Sequence, residues 1–407
     1  MDEHPQFNAP PSAPMNPDPS GPTPPPQQAA GPEGPFPRVK RKRRGTRVLG
    51  LLAIILLALG SGGVAGVATT LLVLDEASTP TPAIETQQAD QPSSNAPNWA
   101  ETAEAVSGAV VAIKVSGSSG AGEGSGVILD DAGHIVTNNH VIAGSGSDSK
   151  IRVVMGTNTY EASTVGADPS TDLAVIRLDN PPEDLTAIEF GDSSKLRVGD
   201  PVMAIGNPLG LSDTVTTGIV SALDRPVATR EVTSNQGESD SGTVVTAAIQ
   251  TNAAINPGNS GGALVDASGK LVGITSSIAS LAENSSEQAG NIGIGFAIPS
   301  SQVRTVSDQL IADGVAQHAQ LGVNVVDATS SAQLGTEVTE VTPDSAAAEA
   351  GVKVGDVITA MDSRPVASSE ALVALVRSSD VGQQVELKIF RGDEQLVLEA
   401  TLQAAEE

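Results

Sequence analysis

Asn252-Ala253-Ala254-Ile255-Asn256-Pro257-Gly258-Asn259-Ser260-Gly261-Gly262-Ala263-Leu264-Val265 is the stretch on which the reading of this chain turns. One serine stands between Gly258-Asn259 and Gly261-Gly262 and leads straight into an apolar run, as expected of a tight loop that presents a single hydroxyl. A hydroxyl is a poor nucleophile at neutral pH. The reading therefore requires a histidine base, a carboxylate to orient that base, and backbone N–H donors for a developing oxyanion.

The chain has four histidines, His4, His134, His140 and His318. His4 lies in a proline-rich tail, and His318 in a short polar link reads as a solvated surface residue. His134 and His140 share Gly126-Val-Ile-Leu-Asp-Asp-Ala-Gly-His-Ile-Val-Thr-Asn-Asn-His-Val-Ile142, where Asp131-Ala132-Gly133 is a hairpin turn between two apolar runs. His134 opens the second run, where an exposed edge position accounts for it. His140 ends that run, where a strand gives way to a loop, and is either the base or a structural histidine. The carboxylate candidate is Asp172 in Asp168-Pro-Ser-Thr-Asp-Leu-Ala-Val-Ile-Arg-Leu178. It precedes a buried-strand pattern, and a carboxylate entering a core needs a partner such as a histidine Nδ1–H. Asp168, before a proline, reads as a turn former and Asp179 as a solvated strand end.

The order His140, Asp172, Ser260 is that of the chymotrypsin-like double barrel and differs from the subtilisin and α/β-hydrolase orders. Thr-Asn-Asn-His-Val, Thr-Asp-Leu-Ala-Val-Ile and Asn-Pro-Gly-Asn-Ser-Gly-Gly together resemble the motifs of the HtrA (DegP-like) serine proteases, over about residues 98 to 403. The resemblance implies His140 as base, Asp172 as its orienter and Ser260 as nucleophile. It places the oxyanion hole at the N–H groups of Gly258 and Ser260, with Asn259 shaping the turn. One position departs from the family: Asn252 stands where an aspartate is usual, which puts the local electrostatics of the loop in question. In this fold Ala254, six residues before the nucleophile, falls at the base of the S1 pocket with Ile255 beside it. No acid is present there, so small or medium apolar side chains are expected rather than Lys or Arg.

Short β-rich runs recur from Val110 to Leu178 and again from Val202 to Ile298, about six in each group, which predicts two barrels in a mainly β protein. Two polar segments, 224–242 and 279–290, read as long loops, and by the resemblance as regulatory ones. A helix is expected from Ser300 to Ala312, with Gly314 as its stop. Beyond it, Leu321-Gly-Val-Asn-Val-Val326 and Val341-Thr-Pro-Asp-Ser-Ala-Ala-Ala-Glu-Ala-Gly-Val-Lys-Val-Gly-Asp-Val-Ile358 resemble an α+β PDZ domain, with boundaries near 318 and 403. The family implies that Leu321, Gly322 and Val323 receive a peptide C-terminal carboxylate and that the next strand pairs with the peptide. A helix near 369–377 would line the pocket with Ala371, Leu372 and Leu375, although Leu372 fits a core role better.

Cysteine is absent, which excludes disulfides and thiol chemistry. The histidines are too few and too scattered for a metal site, and no cofactor is implied. Residues 48–74 are 27 consecutive uncharged positions, enough to cross a bilayer core. Seven basic residues lie between Arg38 and Arg47, and Asp75 and Glu76 follow the apolar run, which places the N-terminus in the cytoplasm and the remainder outside. A cleaved signal peptide with a site near Gly66-Val67-Ala68 is the competing reading. Residues 1–47 carry seven basic and four acidic groups, whereas the remainder carries 15 basic and 44 acidic groups. So acidic an exterior argues against nucleic acid as a partner. The first 37 residues hold 13 of the 27 prolines and are expected to be disordered or a docking ligand. Residues 75–97 read as a flexible linker.

The expectation is a single-pass, membrane-anchored serine endopeptidase acting on unfolded or damaged extracytoplasmic proteins, with a PDZ domain that takes C-terminal peptides. A chaperone-like peptide-binding scaffold, or a signalling protease that cuts one membrane partner, are the alternatives. The resemblance further implies a homotrimer. Trp99, the only tryptophan, is then either a trimer contact or a hydrophobic end to the linker.

Overall fold

Runs of Val, Ile and Leu too short for helices pair with their neighbours and close on themselves twice. In the computed structural model, which describes residues 97–118, 120–143, 149–208, 214–230, 243–256, 258–276, 293–328 and 334–405, the first barrel comprises six strands. They are β1 (Val110–Gly117), β2 (Gly120–Ile128), β3 (His134–Asn138), β4 (Lys150–Met155), β5 (Asn158–Asp168) and β6 (Leu173–Leu178), closed in the order β1-β2-β3-β6-β5-β4. The second has β7 (Pro201–Gly206), β8 (Thr214–Arg230), β9 (Thr243–Thr251), β10 (Ala263–Asp266), β11 (Leu271–Ser276) and β12 (Gly295–Pro299), closed as β10-β11-β12-β9-β8-β7.

Several strands are buried on both faces. Along β7, Val202 and Ala204 enter the second barrel's own core, while Met203 and Ile205 enter a core shared by the two barrels. Along β1, Val111 and Ile113 fill the first barrel and Val110 joins the shared core. The period-2 alternation of a strand thus serves two cores, which is why these segments read as continuous apolar runs. Each fully buried Ile or Leu contributes about 1.5–3 kcal/mol, so the shared core fixes how the barrels meet and hence the cleft between them.

Helix α1 (Trp99–Ser107) precedes β1 and was not expected. Its signal is an asparagine N-cap with a glutamate three residues on: Asn98 Oδ1 accepts from Glu101 N at 3.4 Å, and Asn98 Nδ2 donates to the Glu101 carboxylate at 3.0 Å. Trp99 is half-buried against the shared core. The short α2 (Asn139–Ile142) carries His140, and α3 (Ser300–Asp313) packs Val303, Val306 and Leu310 into the shared core, ending at Gly314 with φ +78°. The expected loop at 224–242 is corrected in part, because Asp224–Arg230 belong to β8. Register shifts between Val220 and Arg225, with Asp224 at φ +49°, re-aim the strand so that Arg225–Arg230 pair with β9. The rest of that segment and the whole of 279–290 lie outside the described residues, as do the tail (1–47), the predicted transmembrane helix (48–74) and all of the linker but its last residue. Among the described residues no helix is long and apolar enough to cross a membrane.

The C-terminal domain begins with β13 (Ala319–Gln320), followed by β14 (Val323–Asp327), β15 (Thr336–Val341), α4 (Ala346–Ala350), β16 (Val357–Met361), β17 (Arg364–Pro365), α5 (Ser369–Arg377), β18 (Gln384–Arg391), β19 (Glu394–Thr401) and β20 (Gln403–Ala404). Its main sheet runs β14-β15-β16-β18-β19, with β13 paired to β20. Arg391 grips the buried Asp356 with two hydrogen bonds of 2.8 Å. Burial alone would raise the Asp356 carboxyl, but the bonds from Arg391 and from Lys353 N outweigh it and hold it below the usual carboxylate value.

Candidate active site

Asp172 occupies the last position of the turn between β5 and β6, with φ +57°, a left-handed conformation that costs a non-glycine residue roughly 1–3 kcal/mol. Several bonds hold it there. Its carbonyl accepts from Asn138 Nδ2 and from Asn139 N, both at 3.0 Å, and its Oδ1 accepts from His140 N at 3.0 Å. The conformation turns the carboxylate toward His140, whose Nδ1 lies 3.0 Å from Oδ1 and 2.9 Å from Oδ2. A carboxylate only accepts, so Nδ1 carries the proton and Nε2 is left with its lone pair, the tautomer a general base requires. Ser276, at the end of β11, adds a long contact of 3.4 Å to Asp172 Oδ2 from the second barrel.

The nucleophile loop is pressed against β2. Ser260 O accepts from Ser125 N at 2.8 Å, and Ser125 Oγ donates to Gly258 O at 2.8 Å while accepting from Asn207 N at 2.9 Å. Gly261 has φ +81°, and a Cβ there would stand 2.2 Å from Ser125 O and 2.4 Å from Thr137 Oγ1. Only glycine fits. On the same strand a Cβ at Gly122 would lie 2.7 Å from Val141 O, and one at Gly124 would meet both the Val141 side chain and Ser260 O. The segment Gly122–Ser125 thus lies between the helix that carries His140 and the loop that carries Ser260. The structure brings the His140–Asp172 pair and the Ser260 loop to the same part of β2.

Asn259 is buried and donates its N–H to Asn256 O at 3.0 Å, which sets the turn between Gly258 and Ser260. Pro257 lies outside the described residues, and with it the orientation of the peptide that bears the Gly258 N–H. Ala254 is half-buried, with its carbonyl accepting from Thr216 Oγ1 at 2.9 Å. Ile255 is packed in the second barrel's core, where Gly295 approaches so closely that a Cβ would be 2.5 Å from its Cγ1. Asn252 Oδ1 accepts from Ile219 N at 2.8 Å.

Two histidine readings are corrected. His134 is largely buried rather than exposed, because its Nδ1 is held 2.6 Å from the Asp130 carboxylate across the hairpin turn. His318 is not a solvated link residue. Its Nε2 lies 3.0 Å from Asp168 Oδ1 and 2.7 Å from Ser170 Oγ, and Asp168 itself is buried. Ser125, Ser276 and the Asp168–His318 pair were missed. The alternation Gly122-Glu-Gly-Ser-Gly126 was an available signal for Ser125, since glycines within a strand mark close backbone approach.

In the C-terminal domain Leu321 is buried and its carbonyl accepts from Ala347 N at 2.8 Å, while Gly322 O accepts from Thr342 N at 2.9 Å. Val323 opens β14, which stands at the edge of the sheet and among the described residues pairs with β15 alone, the arrangement that strand addition by a peptide requires. Leu372 and Leu375 of α5 belong to the domain's core, while Val373 and Ala374 of the same helix pack on Val245 and Ala247 of β9.

The trypsin-like peptidase domain family matches residues 124–274, and the PDZ domain family matches residues 319–402. The chain is 49% identical over 273 residues to the serine protease PepD of Mycobacterium tuberculosis, covering 65% of this chain and 57% of that protein. It is 43% identical over 289 residues to the periplasmic serine endoprotease DegP of Escherichia coli, covering 69% of this chain and 56% of the relative. The chain therefore spans less than three-fifths of the length of these curated relatives. Among solved structures, the HtrA-type protease AlgW with a tripeptide is 34% identical, with a TM-score of 0.55, over 76% of this chain and 98% of that one.

Proposed function

The chain belongs to the HtrA-type, DegP-like serine proteases, and from that premise we propose that it is a membrane-anchored endopeptidase that hydrolyses unfolded or damaged proteins outside the cytoplasm. The observation that carries the reading is the two-pronged contact of Asp172 with His140 beside a Ser260 loop that only glycine neighbours permit. In the reaction His140 Nε2 takes the Ser260 hydroxyl proton as Oγ attacks the scissile carbonyl. Asp172 stabilises the resulting imidazolium, and the N–H groups of Gly258 and Ser260 receive the oxyanion. The proton then passes from His140 to the leaving amine, and water repeats the cycle on the acyl-enzyme.

The anchor rests on the uncharged run 48–74 with its basic flank, and the PDZ role on the open edge of β14 next to Leu321-Gly322-Val323. A relative seen with a bound tripeptide supports a peptide ligand for this chain as well. A homotrimer, with Trp99 near its contacts, is part of the proposal by family membership. Membranes carrying the full chain should degrade casein, keep that activity after an alkaline wash, and lose at least about a thousandfold of it in Ser260→Ala. Equal loss of casein with both proteins, or with neither, overturns the endopeptidase reading.

A further inference from the structure

The turn that presents Asp172 has a histidine at each end. His140 meets the carboxylate of its last residue, and His318 meets that of Asp168, four residues earlier. Asp168 organises the turn. Its Oδ1 accepts from Ser170 N at 3.2 Å and Ser170 Oγ at 2.6 Å, and its other oxygen accepts from Thr171 Oγ1. Thr171 N and Asp172 N then close onto the carbonyls of Asp168 and Pro169 at 3.4 and 3.3 Å. The Asp168 side chain is only 6% exposed, so its charge needs a donor beyond hydroxyls and amides. His318 Nε2 supplies it, 3.0 Å from Asp168 Oδ1 and 2.7 Å from Ser170 Oγ: a carboxylate can only accept, so the nitrogen carries the proton and reaches the carboxylate directly and through the Ser170 hydroxyl.

His318 is part of the other domain's framework. Its carbonyl accepts from Ala405 N at 2.8 Å, and the next residue, Ala319, pairs with Ala404 where β13 meets β20. Leu321, which begins the segment expected to take the peptide carboxylate, is three residues further on. The stretch between α3 and His318 is also held, with Gln317 N donating to Gln309 Oε1 at 2.6 Å.

We propose that His318 is a positioning residue for the reaction: through Asp168 it fixes the turn that holds Asp172 in its left-handed conformation, so that the first strand of the PDZ domain supports the orienting carboxylate of the triad. The state of Asp168 agrees with this. Burial alone would raise its carboxyl, but the hydrogen bond and charge of His318, with Ser170 and Thr171, outweigh it and keep it below the usual value.

The inference rests on the endopeptidase reading, and its test separates the two. In the full chain, His318→Ala should lower kcat on a peptide substrate by about tenfold with KM within about twofold, since a small misplacement of a catalytic group acts on the chemical step. His318→Gln, whose Nε2–H can still reach Asp168, should recover most of that loss. The His140 Nδ1 proton resonance should move in His318→Ala and return in His318→Gln. Where the alanine variant does not fold, His318→Asn, polar but too short to reach Asp168, is measured in its place. A kcat unchanged in the truncated variant, a loss carried by KM alone, or a glutamine variant as impaired as alanine overturns the positioning role. A wild-type chain without turnover would sink the endopeptidase reading, and the Nδ1 resonance would still decide whether His318 sets the Asp172 turn.

Discussion

The two barrels contribute to the site in different ways. The first barrel's share, His140 and Asp172, is held largely by bonds from within that barrel: Asn138 Nδ2 and Asn139 N reach the Asp172 carbonyl from the end of β3, and the Asp168 carboxylate organises the turn that presents Asp172. The second barrel's share, the Ser260 loop, leans on the first. Ser125 from β2 bonds to both Ser260 O and Gly258 O, and Gly261 fits only because Ser125 O and Thr137 lie against it. One half of the site is positioned mainly from within its own barrel, with His318 as a support from outside, and the other by contact across the cleft, so errors in the two halves should have different signatures.

The sharpest test of the local half is Asp172→Asn. The amide can donate to Nδ1 and so favour the tautomer that puts the proton on Nε2, where it blocks base catalysis. We expect kcat to fall about 10⁴-fold at neutral pH with the fold retained. A circular dichroism spectrum like the parent's alongside that loss would confine the damage to proton transfer. A fall of less than tenfold would break the assignment of Asp172 as the orienter.

How much of this was legible in the sequence follows the same division. His140, Asp172 and Ser260 stand out in the sequence because His140 ends an apolar strand pattern, Asp172 and Ser260 each lead into one, and the three stand in a known order. The two barrels were readable from strand spacing. Contacts across the cleft left little trace: the apolar run before the hairpin turn reads only from Gly126, since Gly120, Gly122 and Gly124 carry no strand signal, yet β2 begins at Gly120, and Gly122 and Gly124 are where α2 and the Ser260 loop press in. His318 was misread as solvated because its partner, Asp168, is 150 residues away. Helix α1 was missed although Asn98-x-x-Glu101 announces its start, because the segment lies beside a linker of similar polar composition.

Ser125→Ala tests the half held across the cleft. The substitution removes one hydroxyl and leaves Gly258 O and Asn207 N without that partner, a loss of about 1–3 kcal/mol for buried groups. We expect the melting transition to fall by a few degrees and kcat by about tenfold or more, with the His140–Asp172 pair unaffected. An unchanged Nδ1 proton resonance together with a lower kcat would sharpen the division between the halves. A lost resonance would show that the halves are not independently held.

The smallest effect is expected where the chain departs from its family, at Asn252. The position lies just past the end of β9, where the strand's pairing with β8 gives out. Thr251 Oγ1 donates to Ile219 O at 2.8 Å and Asn252 Oδ1 accepts from Ile219 N at 2.8 Å, so two adjacent side chains satisfy both backbone groups of one β8 residue. That role needs an acceptor oxygen and no charge, which asparagine and aspartate supply equally. The residue is exposed, so an added charge is well screened. Asn252→Asp should therefore leave kcat/KM within about twofold and stability within about 0.5 kcal/mol. A tenfold change in either direction would mean that charge at this position reaches Ser260 along the seven residues between Asn252 and Ser260, and that the nucleophile loop is tuned from within its own barrel as well as from across the cleft.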